Sequence, residues 1–136
     1  MAEGLLKNQL EKLGMPVEVR SAGIGTYNGI TASNEAVEVM KERGIDISGH
    51  IGRRLTKDMI DRADLILAME DFQIDYILDL QPDAKNRTFL VKKFKNPEHL
   101  KNPNIPDPIG KPKEVYEECL LTIKEQTERL ANLLRQ

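Results

Sequence analysis

The sequence predicts an α/β protein with a mostly parallel sheet flanked by helices, and three observations carry that reading. Short β-branched or apolar segments alternate with longer amphipathic ones, the order of βαβ-type units. One segment, DLILAM at 64–69, is an almost unbroken apolar run, the pattern of a strand covered on both faces. The amphipathic segments repeat their apolar residues at three and four, so each presents one face to a core. The predicted order is helix, strand, helix, helix, strand, helix, strand, helix, which leaves a sheet of only three strands. A sheet that thin, entered from a helix, is unusual for the class.

The first helix places Leu5, Leu6, Leu10 and Leu13 on one face and Lys7, Asn8, Glu11 and Lys12 on the other, and Gly14 stops it. No Ser, Thr, Asp or Asn precedes it as a cap. PVEVRSAGI then reads as a strand over 17–21, running into a glycine-rich loop over 23–33. Ser33 or Asn34 caps a helix carrying Ala36, Val37, Val39 and Met40, ended by Gly44. ISGHIGRRLT is irregular, and its Gly49 and Gly52 suggest at most a small anion-binding nest. Thr56 caps the short helix KDMIDRA, with Asp58 in its first turn.

After the strand at 64–69, a helix over 71–80 turns Ile74, Ile77 and Leu78 inward, and RTFLV at 87–91 is the third strand. Residues 95–112 hold five of the seven prolines and read as an ordered excursion or lid. The last helix begins at Pro112 and lines up Val115, Cys119, Ile123, Leu130 and Leu134 near one face.

Composition bounds the function without naming it. A length of 136 residues fits one domain with a real core, and a net charge of −2 supplies no basic field for nucleic acid. No apolar run reaches the length of a membrane span, and Glu3, Asn8 and Gln9 interrupt any signal-peptide core, so a cytoplasmic protein is expected. The single cysteine, Cys119, excludes an intrachain disulfide and a multi-cysteine zinc site.

Five stretches in one order and spacing resemble the low-molecular-weight protein tyrosine phosphatase family, with its bacterial arginine-phosphatase branch. They are MAEGLLK at 1–7, RSAG at 20–23, GIDISGHIGRRLT at 44–56, ADLILAM at 63–69, and PDPIG at 106–110 followed by VYEEC. In that family the first strand, which lies centrally in the sheet, leads into a C-x5-R-S loop and then MAE. The resemblance therefore implies that this sequence starts just after the phosphate-binding loop, without its nucleophilic cysteine and phosphate-clamping arginine. No cofactor or metal is implied, and a phosphoprotein is the substrate in the intact family.

The chemistry needs those missing parts. A thiolate at a helix N-terminus attacks phosphorus, backbone N–H groups and a bidentate Arg hold the phosphoryl oxygens, and a carboxylic acid protonates the leaving atom. By resemblance Asp107, between Pro106 and Pro108, is that general acid; by local pattern alone it is an ordinary turn residue. Ser21 and His50 match positions that orient the phosphate loop, against the plainer reading of a strand end and a solvated loop histidine. Arg53 matches the H-x-x-R arginine and is expected to form a structural ion pair, with Arg54 facing solvent. Ile109 and Gly110 stand where many relatives carry two tyrosines that wall the pocket, which disfavours a stacked phosphotyrosine ring. Cys119 sits mid-helix with no Arg shortly after it, so it reads as a buried, inert thiol and not the nucleophile.

Removing a central strand would leave strands 17–21 and 64–69 without a shared neighbour, each unpaired backbone group costing roughly 1–3 kcal/mol. Either those two strands close up, or a second chain fills the gap and makes a homodimer. The expected function is that of a phosphotyrosine or phosphoarginine phosphatase family member, inactive as this chain stands. A non-catalytic phosphatase-like binding or regulatory protein is the alternative. An arsenate reductase would need resolving cysteines that are absent.

Overall fold

The computed structural model describes residues 1–136. Its elements are α1 (Ala2–Lys12), α2 (Asn34–Lys41), α3 (Lys57–Arg62), β1 (Ile66–Ala68), α4 (Asp71–Leu80), a 3-10 turn (Pro82–Arg87), β2 (Thr88–Leu90) and α5 (Lys113–Arg135). β1 and β2 pair in parallel, Ile66 opposite Thr88 and Ala68 opposite Leu90. Helix α5 packs along α1 and α2, and α4 packs on β1, β2 and the 3-10 turn. No helix is long and apolar enough to cross a membrane.

Local chemistry explains the helix starts. Ser33 accepts from the Ala36 N–H and Thr56 from the Met59 N–H, each satisfying an orphan donor of the first turn. Glu70 and Gln73 form a capping box at the start of α4. Gly14 and Gly44 follow α1 and α2 at φ +66° and +76°, a backbone state that costs a Cβ-bearing residue more than glycine.

The largest apolar cluster joins Leu5, Met40, Phe94, Tyr116, Leu120 and Leu130, at the junction of α1, α2 and α5. A smaller one groups Ile60, Ile77 and Ala84 beneath α4. Lys113 reaches from α5 to Glu38 (3.1 Å) of α2 and to Glu42 (2.7 Å) at its C-cap, and Arg129 donates to the Phe94 (2.7 Å) and Val91 (2.6 Å) carbonyls.

The three-strand sheet expected from the sequence is not what forms: the sheet has two strands. Residues 17–22 make no ladder bonds, and a strand is defined by its neighbour, so the β-branched pattern there has nothing to pair with. The two segments flanking the expected gap have not closed up either, since no backbone bond joins 17–22 to β1. Ala68 bonds to Val91 beyond β2, so by alternation Leu67 turns its N–H and C=O to the opposite edge, where no strand lies. Correspondingly, Leu65, Ile66 and Leu67 are only half-buried, not covered on both faces as their run suggested. The accessible surface is 8824 Å², against about 7,200 Å² for a compact monomer of 15.4 kDa.

Two further expectations shift. The buried face of α5 is Tyr116, Leu120, Ile123, Thr127, Leu130 and Ala131: Ile123 and Leu130 are buried as expected, whereas Val115, Cys119 and Leu134 border the stripe and are half-buried. Gly49 and Gly52 form no nest. Gly52 instead donates to the Ile30 carbonyl at 2.6 Å, where a Cβ would meet that oxygen at 3.1 Å.

Candidate active site

The loop over 95–112 is irregular but tied down. The Ile105 N–H donates to the Met69 carbonyl (2.8 Å), just beyond β1. Asn104 Oδ1 accepts from the Asp71 N–H (2.8 Å) at the first residue of α4, and Lys92 Nζ donates to the Asn102 carbonyl (3.0 Å). These bonds fix the approach to Asp107 against the C-terminal end of the sheet, the edge where α/β proteins build their sites. Pro106 and Pro108 restrict the backbone on either side. Asp107 Oδ1 accepts from the Ile109 N–H at 3.0 Å, an Asx turn that leaves the second carboxylate oxygen free towards solvent. Gly110, at φ +79°, completes the turn, and the Ile109 side chain is 71% exposed.

The start of α1 gathers the other expected residues around one carboxylate. Glu3 accepts from the Ser21 hydroxyl at 3.1 Å and lies 3.3 Å from His50 Nδ1 and 3.4 Å from Lys7 Nζ. Burial works to raise the Glu3 pKa, but the Ser21 bond and the Lys7 and His50 charges together hold it below the usual carboxylate value. Glu3 thus ties α1 to the 17–22 segment and to the 48–54 loop. It escaped the sequence reading, although an acidic residue in a first helical turn and its place in MAE were both visible.

Arg53 departs from expectation. It forms no ion pair; its carbonyl accepts from the Gly23 N–H at 2.8 Å, and its side chain borders a concavity shared with Lys7, Glu11 and residues 17–20. Arg54 is exposed as anticipated, its N–H donating to Asn28 Oδ1 at 2.8 Å.

Cys119 is half-buried, not buried: it borders the buried stripe of α5 and packs against the edge of the main core. Its Sγ lies 3.8 Å from the Pro106 carbonyl oxygen, so the thiol faces the Asp107 loop. Burial raises its pKa, the negative charge of Asp107 raises it further, and the Met1 amine opposes both only in part. Asp107, Cys119 and the Met1 amine therefore share one corner of the molecule, and burial lowers the pKa of that amine.

The site so assembled offers a solvent-facing carboxylate on a braced loop and, separately, a Ser21–Glu3–His50 network at the start of α1. Cys119 lies within α5 in the corner that holds the Met1 amine at the start of α1, but burial and the Asp107 charge raise its pKa, the direction opposite to that of an activated thiolate. No three His, Cys, Asp or Glu side chains are grouped to hold a metal ion. The concavity beside the Glu3 network, about 420 Å³ and lined by Lys7, Asn8, Glu11, Asp46 and His50, does not include Asp107.

A family model described as low molecular weight phosphotyrosine protein phosphatase matches residues 1–136. A protein-arginine-phosphatase of Geobacillus stearothermophilus is 38% identical over 136 residues, covering 99% of this chain and 86% of that protein. A low molecular weight protein-tyrosine-phosphatase of Acinetobacter johnsonii is 36% identical over 124 residues, covering 91% of this chain and 80% of that protein. Among solved structures, the arginine phosphatase of Geobacillus stearothermophilus superposes with a TM-score of 0.85 at 36% identity, over 98% of this chain and 85% of that one. A mutant of the Bacillus subtilis protein YwlE superposes with a TM-score of 0.90 at 29% identity, over 99% and 88%.

Proposed function

The chain belongs to the low-molecular-weight phosphotyrosine protein phosphatase family, and from that membership we propose that it is a phosphoprotein-phosphatase scaffold whose general acid is Asp107 and whose nucleophile lies outside residues 1–136. Its substrates are phosphoproteins of the phosphotyrosine or phosphoarginine class, and these 136 residues by themselves do not turn them over.

The observation that carries the reading is the state of the only thiol. Transfer of a phosphoryl group to sulfur needs a thiolate at neutral pH, with N–H donors converging where the phosphoryl oxygens will sit. Cys119 has a raised pKa, lies within a helix whose N–H groups are already bonded, and has no arginine beside it. Asp107, by contrast, has what an acid needs: a braced backbone, a free oxygen and access to solvent. Ser21 and His50 both contact Glu3 at the start of α1, which supports a role for them beside a phosphate-binding loop. Exposed Ile109 and Gly110 provide no aromatic wall for a phosphotyrosine ring, which favours a phosphoarginine. The names of the Geobacillus and Acinetobacter relatives represent both classes.

The test is hydrolysis of p-nitrophenyl phosphate and of a phosphoarginine peptide by the chain and by Cys119→Ser. Both proteins should match the buffer blank. Turnover abolished by Cys119→Ser would make Cys119 a nucleophile and refute the reading; turnover that survives it would reveal another group. The second reading, a non-catalytic phosphatase-like binding protein, is favoured by an intact Asp107 loop beside an unreactive thiol. Calorimetric binding of a phosphopeptide without turnover would distinguish it.

A further inference from the structure

Helix α4 carries apolar residues on the side that no other element covers. It packs on β1, β2 and the 3-10 turn through buried Ile77, with Ile74 and Leu78 half-buried beside it. Yet Phe72 is 58% exposed and Leu80 37%, with Tyr76 half-buried between them. Positions 72, 76 and 80 follow one i, i+4, i+8 row, so their side chains make a continuous ridge. The ridge faces away from Ile74 and Ile77. A further strand joining the sheet would lie beneath α4 and leave the ridge uncovered.

The charges beside the ridge identify what fits it. Asp71, Asp75 and Asp79 form the adjacent row of α4, and Asp83 on the 3-10 turn repeats the spacing; all four are exposed. From Ala63 to Ala84 the chain has six Asp or Glu and no Lys or Arg, although its net charge is only −2. Every other helix sets an acid against a base: Glu3 with Lys7 on α1, Glu38 of α2 with Lys113 of α5, Asp58 with Arg62 on α3, and Glu128 with Lys124 on α5. The α4 carboxylates enter no ion pair, and no basic residue in the last turn offsets Asp79. Like charges four residues apart work against the helix that carries them, and a cationic partner removes that repulsion.

We propose that this face of α4 docks an amphipathic helix of a protein partner. Aliphatic or aromatic side chains of that helix lie against Phe72, Tyr76 and Leu80, and a row of Lys or Arg lies against Asp71, Asp75 and Asp79. Helices packed this way interdigitate their i, i+4 rows, and the complementary charges fix the register of the partner. With 10 residues, α4 is about 15 Å long and meets about three turns of the partner helix. The inference does not rest on the proposed phosphatase chemistry, and binding is read separately from turnover.

Fluorescence anisotropy with the full chain tests it. The probe is a labelled helical peptide of about fifteen residues, with Leu along one i, i+4 row and Lys along the next. The chain should bind this peptide, more weakly as salt rises, and should not bind its counterpart with Glu in place of Lys. Asp75→Lys/Asp79→Lys should weaken binding roughly tenfold, and Phe72→Ala should weaken it as well. Glu117→Lys/Glu125→Lys makes the same change in net charge at exposed positions of α5 and should leave binding unchanged. Circular dichroism should be the same for all of these variants, because the substituted side chains are exposed. Binding of neither peptide, equal binding of both, or equal loss in the α4 and α5 double variants overturns the proposal. So does binding indifferent to Phe72→Ala. A dimer of the chain in sedimentation that Asp75→Lys/Asp79→Lys dissolves would assign the face to a second copy and overturn it too.

Discussion

Cys119 Sγ sits 3.8 Å from the carbonyl oxygen of Pro106, which places the chain's lone thiol beneath the loop that presents Asp107. The two ionisable groups feel each other: the carboxylate disfavours the thiolate, adding to the effect of burial. A thiol and a carboxylate share one corner, and both burial and the carboxylate raise the pKa of the thiol.

That coupling has a chemical readout. Alkylation of Cys119 by iodoacetamide should rise at a higher pH than for free cysteine. Asp107→Asn should move the profile back towards lower pH, since it removes the charge and leaves the burial. An unmoved profile would show that the Asp107 loop does not cover the thiol.

Glu3 predicts an acid limb in stability. Its folded pKa lies below its unfolded value, so its contribution is present above the unfolded pKa and is lost as pH falls through the folded one. Glu3→Gln should cost about 1–2 kcal/mol in urea unfolding at neutral pH, and the difference should shrink as pH falls below the usual carboxylate range. A constant difference across that range would mean that the carboxylate charge plays no part.

Much of this frame was legible in the residues, and the misses share a cause. Ser33, Thr56, Gly14 and Gly44 act through their own neighbours, so their caps and stops read directly from sequence. The residue types of VEVRS suit a strand, but a strand requires a partner that residue types do not supply. On α5 Ile123 and Leu130 are legible as buried, but at its start Val115, Tyr116, Cys119 and Leu120 offer two adjacent apolar rows, and only packing against α1 and α2 chooses between them. Asp107 stands out only through resemblance, its local pattern being that of an ordinary turn. Glu3 and Asn104, which tie together segments far apart in sequence, left no local signal of their contacts.

Asn104 illustrates such a tie. Its side chain accepts the first N–H of α4 and so fastens the Asp107 loop to the fold. Asn104→Ala should cost about 1 kcal/mol, comparable with loss of a cap. Amide exchange at Ile105, whose bond to Met69 is next in line, should quicken while exchange in α5 does not. Equal protection at Ile105 in both proteins would remove Asn104 as an anchor of the loop.

Arg129 should matter more than its partial exposure suggests. Its guanidinium serves the Val91 and Phe94 carbonyls together, and Arg129→Ala leaves both without that donor, at about 2–3 kcal/mol. Arg129→Lys should recover only part of this, because an ammonium cannot reproduce the planar fork. Full recovery in urea unfolding would show that charge alone, not geometry, is what the site uses.

The most direct measurement of the central claim is made on a chain extended at its N-terminus by a strand and a Cys-x5-Arg-Ser loop leading into Met1. The account predicts that phosphate-monoester turnover appears in the extended chain. It also predicts that Asp107→Asn lowers kcat by roughly 10²–10⁴-fold, the usual worth of a placed general acid, while Cys119→Ser leaves it unchanged. A folded extended chain that stays inactive, or one whose turnover is indifferent to Asp107, would contradict it.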